Sequence, residues 1–96
     1  MSDVSISRHQ NDTAGEYHAH VTGSDLIGRL TWVEQDGVRI AEHTIVPTAL
    51  GGRGIAAKLV EALVADAREQ GFRVRPVCSY VAKKFDDHPE WADLRA

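Results

Sequence analysis

Val46-Pro47-Thr48-Ala49-Leu50-Gly51-Gly52-Arg53-Gly54-Ile55-Ala56 is the stretch on which the reading of the fold turns. Before it, apolar residues alternate with polar ones, the period of half-buried strands; after it they recur every three to four residues, the period of a helix. Between the two regimes stand a proline that ends an extended run and three glycines within four residues. Glycine admits positive φ and lets the backbone approach a neighbour closely, so this is a strand-to-helix turn with its amides uncovered.

Working downstream, Ile55, Leu59, Ala62, Leu63 and Ala67 fall at helical spacing, with Lys58, Glu61, Ala65, Arg68 and Glu69 on the opposite side. Gly71 is a helix stop. Residues 72–78 read as a fifth strand, and Ser79 as the cap of a short helix through Phe85 that ends before Asp86-Asp87-His88-Pro89. Upstream, residues 5–9, 16–22, 26–33 and 38–46 read as four strands. The turn clusters around Asn11 and Gly23 and the hairpin pair Asp36-Gly37 separate them. A strand, a long helix and a strand in succession make a right-handed crossover with parallel strands. The expected architecture is α+β: an antiparallel meander, then a β-α-β crossover, as one mixed sheet with one dominant helix.

Ninety-six residues make one small domain, taken as 1–96. No apolar run reaches the ~20 residues of a membrane helix. The start, Met1-Ser2-Asp3-Val4-Ser5, lacks the pattern of a secretory leader, so a cytoplasmic location is expected. The formal charge of −3 argues against a nucleic-acid partner. A single cysteine forms no internal disulfide and no zinc site by itself. His18 and His20 share a strand face, but with no third ligand nearby in the sequence no metal is assigned.

The free N–H groups at the start of a helix, with the positive end of its dipole, suit a phosphate. Three patterns compete for residues 51–56. The Walker loop lacks its Gly-Lys-Ser/Thr ending. Gly52-Arg53-Gly54-Ile55-Ala56-Ala57 reads as G-x-G-x-x-A, yet the next strand ends in Val77-Cys78-Ser79 with no acid for a ribose, and the chain is short for a doubly wound sheet. The third pattern fits better. Gly51, Gly52, Arg53, Gly54, Ile55 and Ala56 resemble the acyl-CoA loop of the GNAT N-acetyltransferase superfamily, Gln/Arg-x-x-Gly-x-Gly/Ala. Gly54 and Ala56 match its last two positions, and Gly51 stands where the family has Gln or Arg. His43-Thr44-Ile45-Val46-Pro47, Pro76-Val77-Cys78 and His88-Pro89-Glu90-Trp91-Ala92-Asp93-Leu94 extend the resemblance to a minimal GNAT-like subfamily of about this length. It covers the second half closely and the whole chain in element order.

Pro76 supports the same expectation from the residues alone. It has no N–H to donate to a ladder. If strands four and five part there, backbone groups near Ile45 and Val46 need other partners, which the amides of a pantetheine arm supply. The competing reading makes the fifth strand a simple edge.

The resemblance implies acetyl-CoA as co-substrate and an amine as acceptor, which must be neutral to attack. His43 suits the general base; on strict alternation Glu42 beside it faces the other way. Cys78 falls where the subfamily carries a cysteine, as proton donor to the leaving thiolate or as acyl acceptor; a cysteine that only packs is the plainer alternative. Tyr80 is a second proton source, since Lys83-Lys84-Phe85 stand where many relatives place a tyrosine. The reading is therefore an acetyl-CoA-dependent N-acetyltransferase. The alternatives are an acyl-CoA-binding module or sensor without turnover and, behind it, a Rossmann-like nucleotide binder. GNAT domains of ordinary size carry further strands after the last helix, so an open acceptor cleft, or one completed by a protein partner or second copy, is expected.

Overall fold

The structure, a computed structural model, describes residues 3–96; Met1 and Ser2, which enter the reading of the leader, lie outside them. Four strands, β1 (Val4–Gln10), β2 (Ala14–Val21), β3 (Ile27–Gln35) and β4 (Val38–Ile45), form an antiparallel meander. A 3-10 turn at Thr48–Leu50 leads into α1 (Ile55–Gln70), then β5 (Arg73–Pro76), α2 (Ser79–Asp87) and a second 3-10 segment at Pro89–Leu94. The spatial order is β1-β2-β3-β4-β5, with β5 parallel to β4 across the α1 crossover. The GNAT-like α+β expectation holds. No helix among the described residues is long and apolar enough to cross a membrane.

The turns form for local reasons. Asp36 and Gly37 both adopt positive φ, 54° and 78°, as a two-residue type I′ hairpin requires. Gly71 closes α1 in the left-handed region, its N–H donating to the Ala67 carbonyl. Most expected strand ends move by one or two residues, and α2 runs on through Asp86 to Asp87 rather than ending at Phe85; two shifts have a local cause. The fifth strand ends at Pro76, because a residue without an N–H terminates the ladder it was expected to interrupt. Ser79 is the first helical residue of α2 and Cys78 its cap position. The last residues cover the outer edge of β5: Arg95 bridges Val74, and the Ala96 N–H donates to the Val74 carbonyl at 2.7 Å. An edge strand is thereby partly blunted.

One face of the sheet makes the core. Tyr17, Ala19 and Val21 of β2, Leu30 and Trp32 of β3, Ala41 of β4 and Val74 of β5 are buried against Ile55, Leu59, Val60, Leu63 and Val64 of α1 and Val81 and Phe85 of α2. The alternate positions of β2 to β5 are half-buried or exposed. Gly28 fixes how closely α1 approaches: a Cβ there would come within 2.9 Å of Ile55 Cγ2, on the first residue of the helix.

Helical spacing alone does not anticipate that Asp66 turns inward. It accepts from Arg8 Nε and Nη2 (2.8 and 3.0 Å) and from the Tyr17 hydroxyl (2.8 Å). Tyr17 in turn accepts from Arg39 Nη1 at 2.9 Å. Arg39 is buried between the rings of Trp32 and Phe72, 3.9 and 4.1 Å from their centroids. Its Nε has no hydrogen bond, and the Glu34 carboxylate at 3.8 Å supplies charge only. Burial pushes the Asp66 carboxyl up, but the bonds from Arg8 and Tyr17 and the charges of Arg8 and Arg39 outweigh it and hold it below the usual range.

A depressed carboxylate stabilises the fold above its unfolded pKa of about 3.9 and loses that contribution as pH falls through the lower folded value. Asp66→Asn, which takes the paired carboxylate from Arg8 and leaves Arg39 only Glu34, costs about 2–4 kcal/mol at neutral pH. Urea unfolding at pH 7 and pH 3 should show a large gap to wild type at the first and a much smaller one at the second.

Candidate active site

The parallel ladder between β4 and β5 runs from Val38↔Arg73 to Ala41↔Pro76 and stops. Beyond it, the N–H groups of Val77 and Cys78 both donate to the Ala41 carbonyl, at 3.1 and 2.9 Å. The chain then turns into α2 while β4 continues to Ile45, so the two strands part as expected from Pro76. β5 is also the edge strand of the sheet, so both readings of Pro76 hold. Ile45 is exposed, and Val46 packs half-buried against the core.

The same stretch of β4 is irregular on its other side. Thr31 pairs with His43 and Trp32 with Ala41, so Glu42 is an extra residue opposite β3. Such a bulge breaks the two-residue alternation, and the expectation that Glu42 and His43 face opposite sides does not survive it. Glu42 lines a cleft of about 520 Å³ with Thr31, Trp32, Glu16, His18 and His9. The Thr31 hydroxyl is buried there without a hydrogen-bond partner. His43 is exposed; its backbone pairs with Thr31, and its side chain makes no hydrogen bond among the described residues.

Cys78 is half-buried across the gap from β4, its thiol donating to Thr44 Oγ1 at 3.5 Å. Burial pushes this thiol up. Hydrogen bonds to the ionised sulfur from the Thr44 hydroxyl and from the backbone N–H groups of Val81, Tyr80 and Thr44 more than reverse that, leaving it below the ordinary thiol value. The Tyr80 and Val81 amides belong to the first turn of α2, where N–H groups lack helical partners. Thr44 was not among the residues singled out from sequence; its spacing one past His43 carried the signal only once the gap was known. Tyr80 is half-buried, with Lys84 Nζ 5.7 Å from its ring.

At the head of α1, Gly51, Gly52, Arg53 and Gly54 are exposed, and Gly52 and Gly54 take φ of 79° and 68°. A Cβ on either would meet nothing within 4 Å, so the turn borders open space. No side chain caps the helix, and the first helical bond is Lys58 N–H to Gly54 O at 3.1 Å. The preceding amides of Ile55, Ala56 and Ala57 therefore precede the helical ladder. Arg53 pairs loosely with Asp3 at 3.7 Å. The margin of β4 left by β5, the glycine turn and Cys78 come in that order along the chain; His18 and His20 lie on β2, where the structure adds His9 beside them.

A family model for GCN5-related N-acetyltransferases matches residues 16–94. Among solved structures, the solution structure of a GCN5-like candidate N-acetyltransferase from Staphylococcus aureus superposes with a TM-score of 0.72 at 23% identity, covering 100% of this chain and 91% of that one. A comparison with curated proteins finds no match.

Removing the Thr44 hydroxyl takes away the side-chain bond that favours the Cys78 thiolate. Thr44→Val should make alkylation of Cys78 by iodoacetamide several-fold slower at pH 7 and displace its pH midpoint upward; an unchanged profile would mean that the backbone amides of Thr44, Tyr80 and Val81 set the thiol without the hydroxyl.

Proposed function

Because the chain belongs to the GCN5-related N-acetyltransferase family, we propose that it transfers the acetyl group of acetyl-CoA to an amine at the opening between β4 and β5. The observation that carries this reading is the parting of the strands after Ala41 and Pro76, which leaves the margin of β4 without a ladder partner. Backbone groups in that position need a hydrogen-bonding neighbour. The amides of a pantetheine arm are such a neighbour, extended along Ile45 and Val46.

The fit extends to the loop. The turn from Gly51 through Gly52, Arg53 and Gly54 to Ile55 and Ala56 offers backbone N–H groups, a helix dipole and no side chains in the way, which suits a pyrophosphate. Backbone amides do this work without the Gln or Arg that relatives carry at the position of Gly51. Acetyl-CoA supplies the activated acyl group as a thioester; the remaining chemistry falls to side chains around the gap.

His43 takes the proton of the attacking amine. It is exposed, its side chain has no hydrogen-bond partner among the described residues, and it sits beyond the point where β5 leaves β4. Cys78 returns a proton to the departing sulfur, with Thr44 and the amides of Tyr80 and Val81 stabilising the thiolate left behind. The Tyr80 hydroxyl is an auxiliary proton source at the same helix end. The cleft lined by Thr31 and Glu42, the ladder partner and the chain neighbour of His43, is taken as the acceptor side. The depressed Cys78 thiol also favours a second reading, in which the thiolate accepts the acetyl group first and passes it to the amine.

Calorimetric titration of the purified chain with acetyl-CoA, with NAD and ATP as controls, should give micromolar binding of acetyl-CoA alone. Gly54→Val, which forces a β-branched residue into the left-handed region at the loop, should weaken it at least tenfold. His43→Ala and Cys78→Ala should keep binding and lose most transfer to an amine. Retained binding with no transfer by the wild type to any amine would instead make the domain an acyl-CoA-binding module. Mass spectrometry after acetyl-CoA alone separates the two cysteine roles: a stable acetyl adduct on Cys78 supports the covalent one.

A further inference from the structure

Outside the β4–β5 opening, one cluster of side chains combines convergence with ligand chemistry. His18 and His20 stand two apart on β2, so they share its face opposite α1. On β1, His9 pairs with Glu16 and Ser7 with His18, which brings His9 onto the same face diagonally beside His18. A ring nitrogen from each of the three lies within 4.8 Å of the others. His9 and His18 have ring centroids 4.1 Å apart. The Nε2 atoms of His9 and His20 both converge on the Ser7 hydroxyl, at 2.8 and 2.7 Å. A hydroxyl has one proton, so it donates to one ring and accepts from the other.

We propose that His9, His18 and His20 form a binding site for a divalent transition metal, with zinc as the ion whose chemistry fits best. Three neutral imidazoles with a further position open is a donor set of zinc sites that bind an exchangeable ligand. Two nitrogens on one tetrahedral zinc lie about 3.3 Å apart, so ring nitrogens that now lie within 4.8 Å of one another need to close by at most about 1.5 Å. That closure needs only side-chain rotation, since His9 is exposed and His18 and His20 are half-buried; the ion would take the place of the Ser7 hydroxyl between His9 and His20.

The surroundings support a cation. The Glu16 carboxylate lies 2.9 Å from His18 Nε2, a partner that orients the ring and offsets the charge of an ion. Arg29, paired with His18 across β3, works against a cation, but its guanidinium is engaged by the same Glu16 at 3.5 Å. His9, Glu16 and His18 also line the cleft that reaches Glu42, so the open coordination position faces that cleft. Such a position takes a water, or a carboxylate or imidazole of a molecule entering there.

The test is calorimetric titration of the full chain with zinc chloride, without acetyl-CoA, alongside the visible spectrum of the cobalt-loaded protein. One zinc per chain at micromolar affinity is expected, with a four-coordinate cobalt spectrum. His18→Asn and, separately, the exposed His9→Asn should weaken zinc binding at least tenfold while the circular dichroism spectrum stays native. Cys78→Ser and His88→Ala should bind as wild type does. No uptake at 100-fold the expected concentration, wild-type affinity in both histidine variants, or loss of binding in Cys78→Ser would each overturn the assignment.

Discussion

The Ala41 carbonyl accepts two hydrogen bonds, from Val77 and Cys78, and the rest of the site depends on that point. It is the last place where β4 and β5 are tied. Had the ladder continued, the margin of β4 would be occupied and the first turn of α2 would lie too far along to reach it. Because the ladder ends at a residue with no N–H, the chain folds over the end of β5 and starts a helix with Cys78 facing Thr44. One proline thus produces an unpaired strand edge, and a thiol that the edge and a helix end stabilise together.

The opening keeps its shape because α1 is fixed to the sheet at both ends of its buried face. Near its start, Ile55 rests against Gly28, where nothing larger than hydrogen fits without displacing it. Near its end, Asp66 is held by Arg8 and Tyr17, and Tyr17 by Arg39 between two aromatic rings. A buried charge network is a costly way to hold a helix compared with apolar packing. It does specify register, since a one-residue slip of β1 would turn Arg8 to the opposite face and leave Asp66 buried without its cation. The glycine loop at the head of α1 is carried into place by these contacts.

Much of this was legible in the residues. The change of period around Pro47 and Gly54, the Asp36-Gly37 hairpin and the meaning of Pro76 are local signals, and each turned into the element it implied. The parts that were not legible are those that depend on pairing between distant segments. The bulge at Glu42 is a count of residues against β3, which alternation along β4 alone cannot reveal. Asp66 sits on a helix face that composition reads as apolar apart from itself, and its partners are on β1 and β2, more than 40 residues away. His9 becomes the third histidine of a face only through the β1–β2 register. The Thr44 contact with Cys78 needed the gap to exist before it had meaning.

The sheet's second face follows from the same economy of elements. Both helices contribute to one core, so the positions facing away from it must tolerate water, and β2 and β3 place Glu16, His18, His20, Arg29 and Thr31 there. A bulge raises local twist and detaches one residue from the ladder. At Glu42 it does so beside Thr31, whose hydroxyl is buried and unpartnered at the floor of the cleft. An unsatisfied buried hydroxyl costs about 1–3 kcal/mol, and a ligand with a polar group at that depth would recover part of it. The bulge therefore joins the two sides of β4: its outer margin lies open where β5 has turned away, and its inner neighbour carries a polar group still in need of a partner.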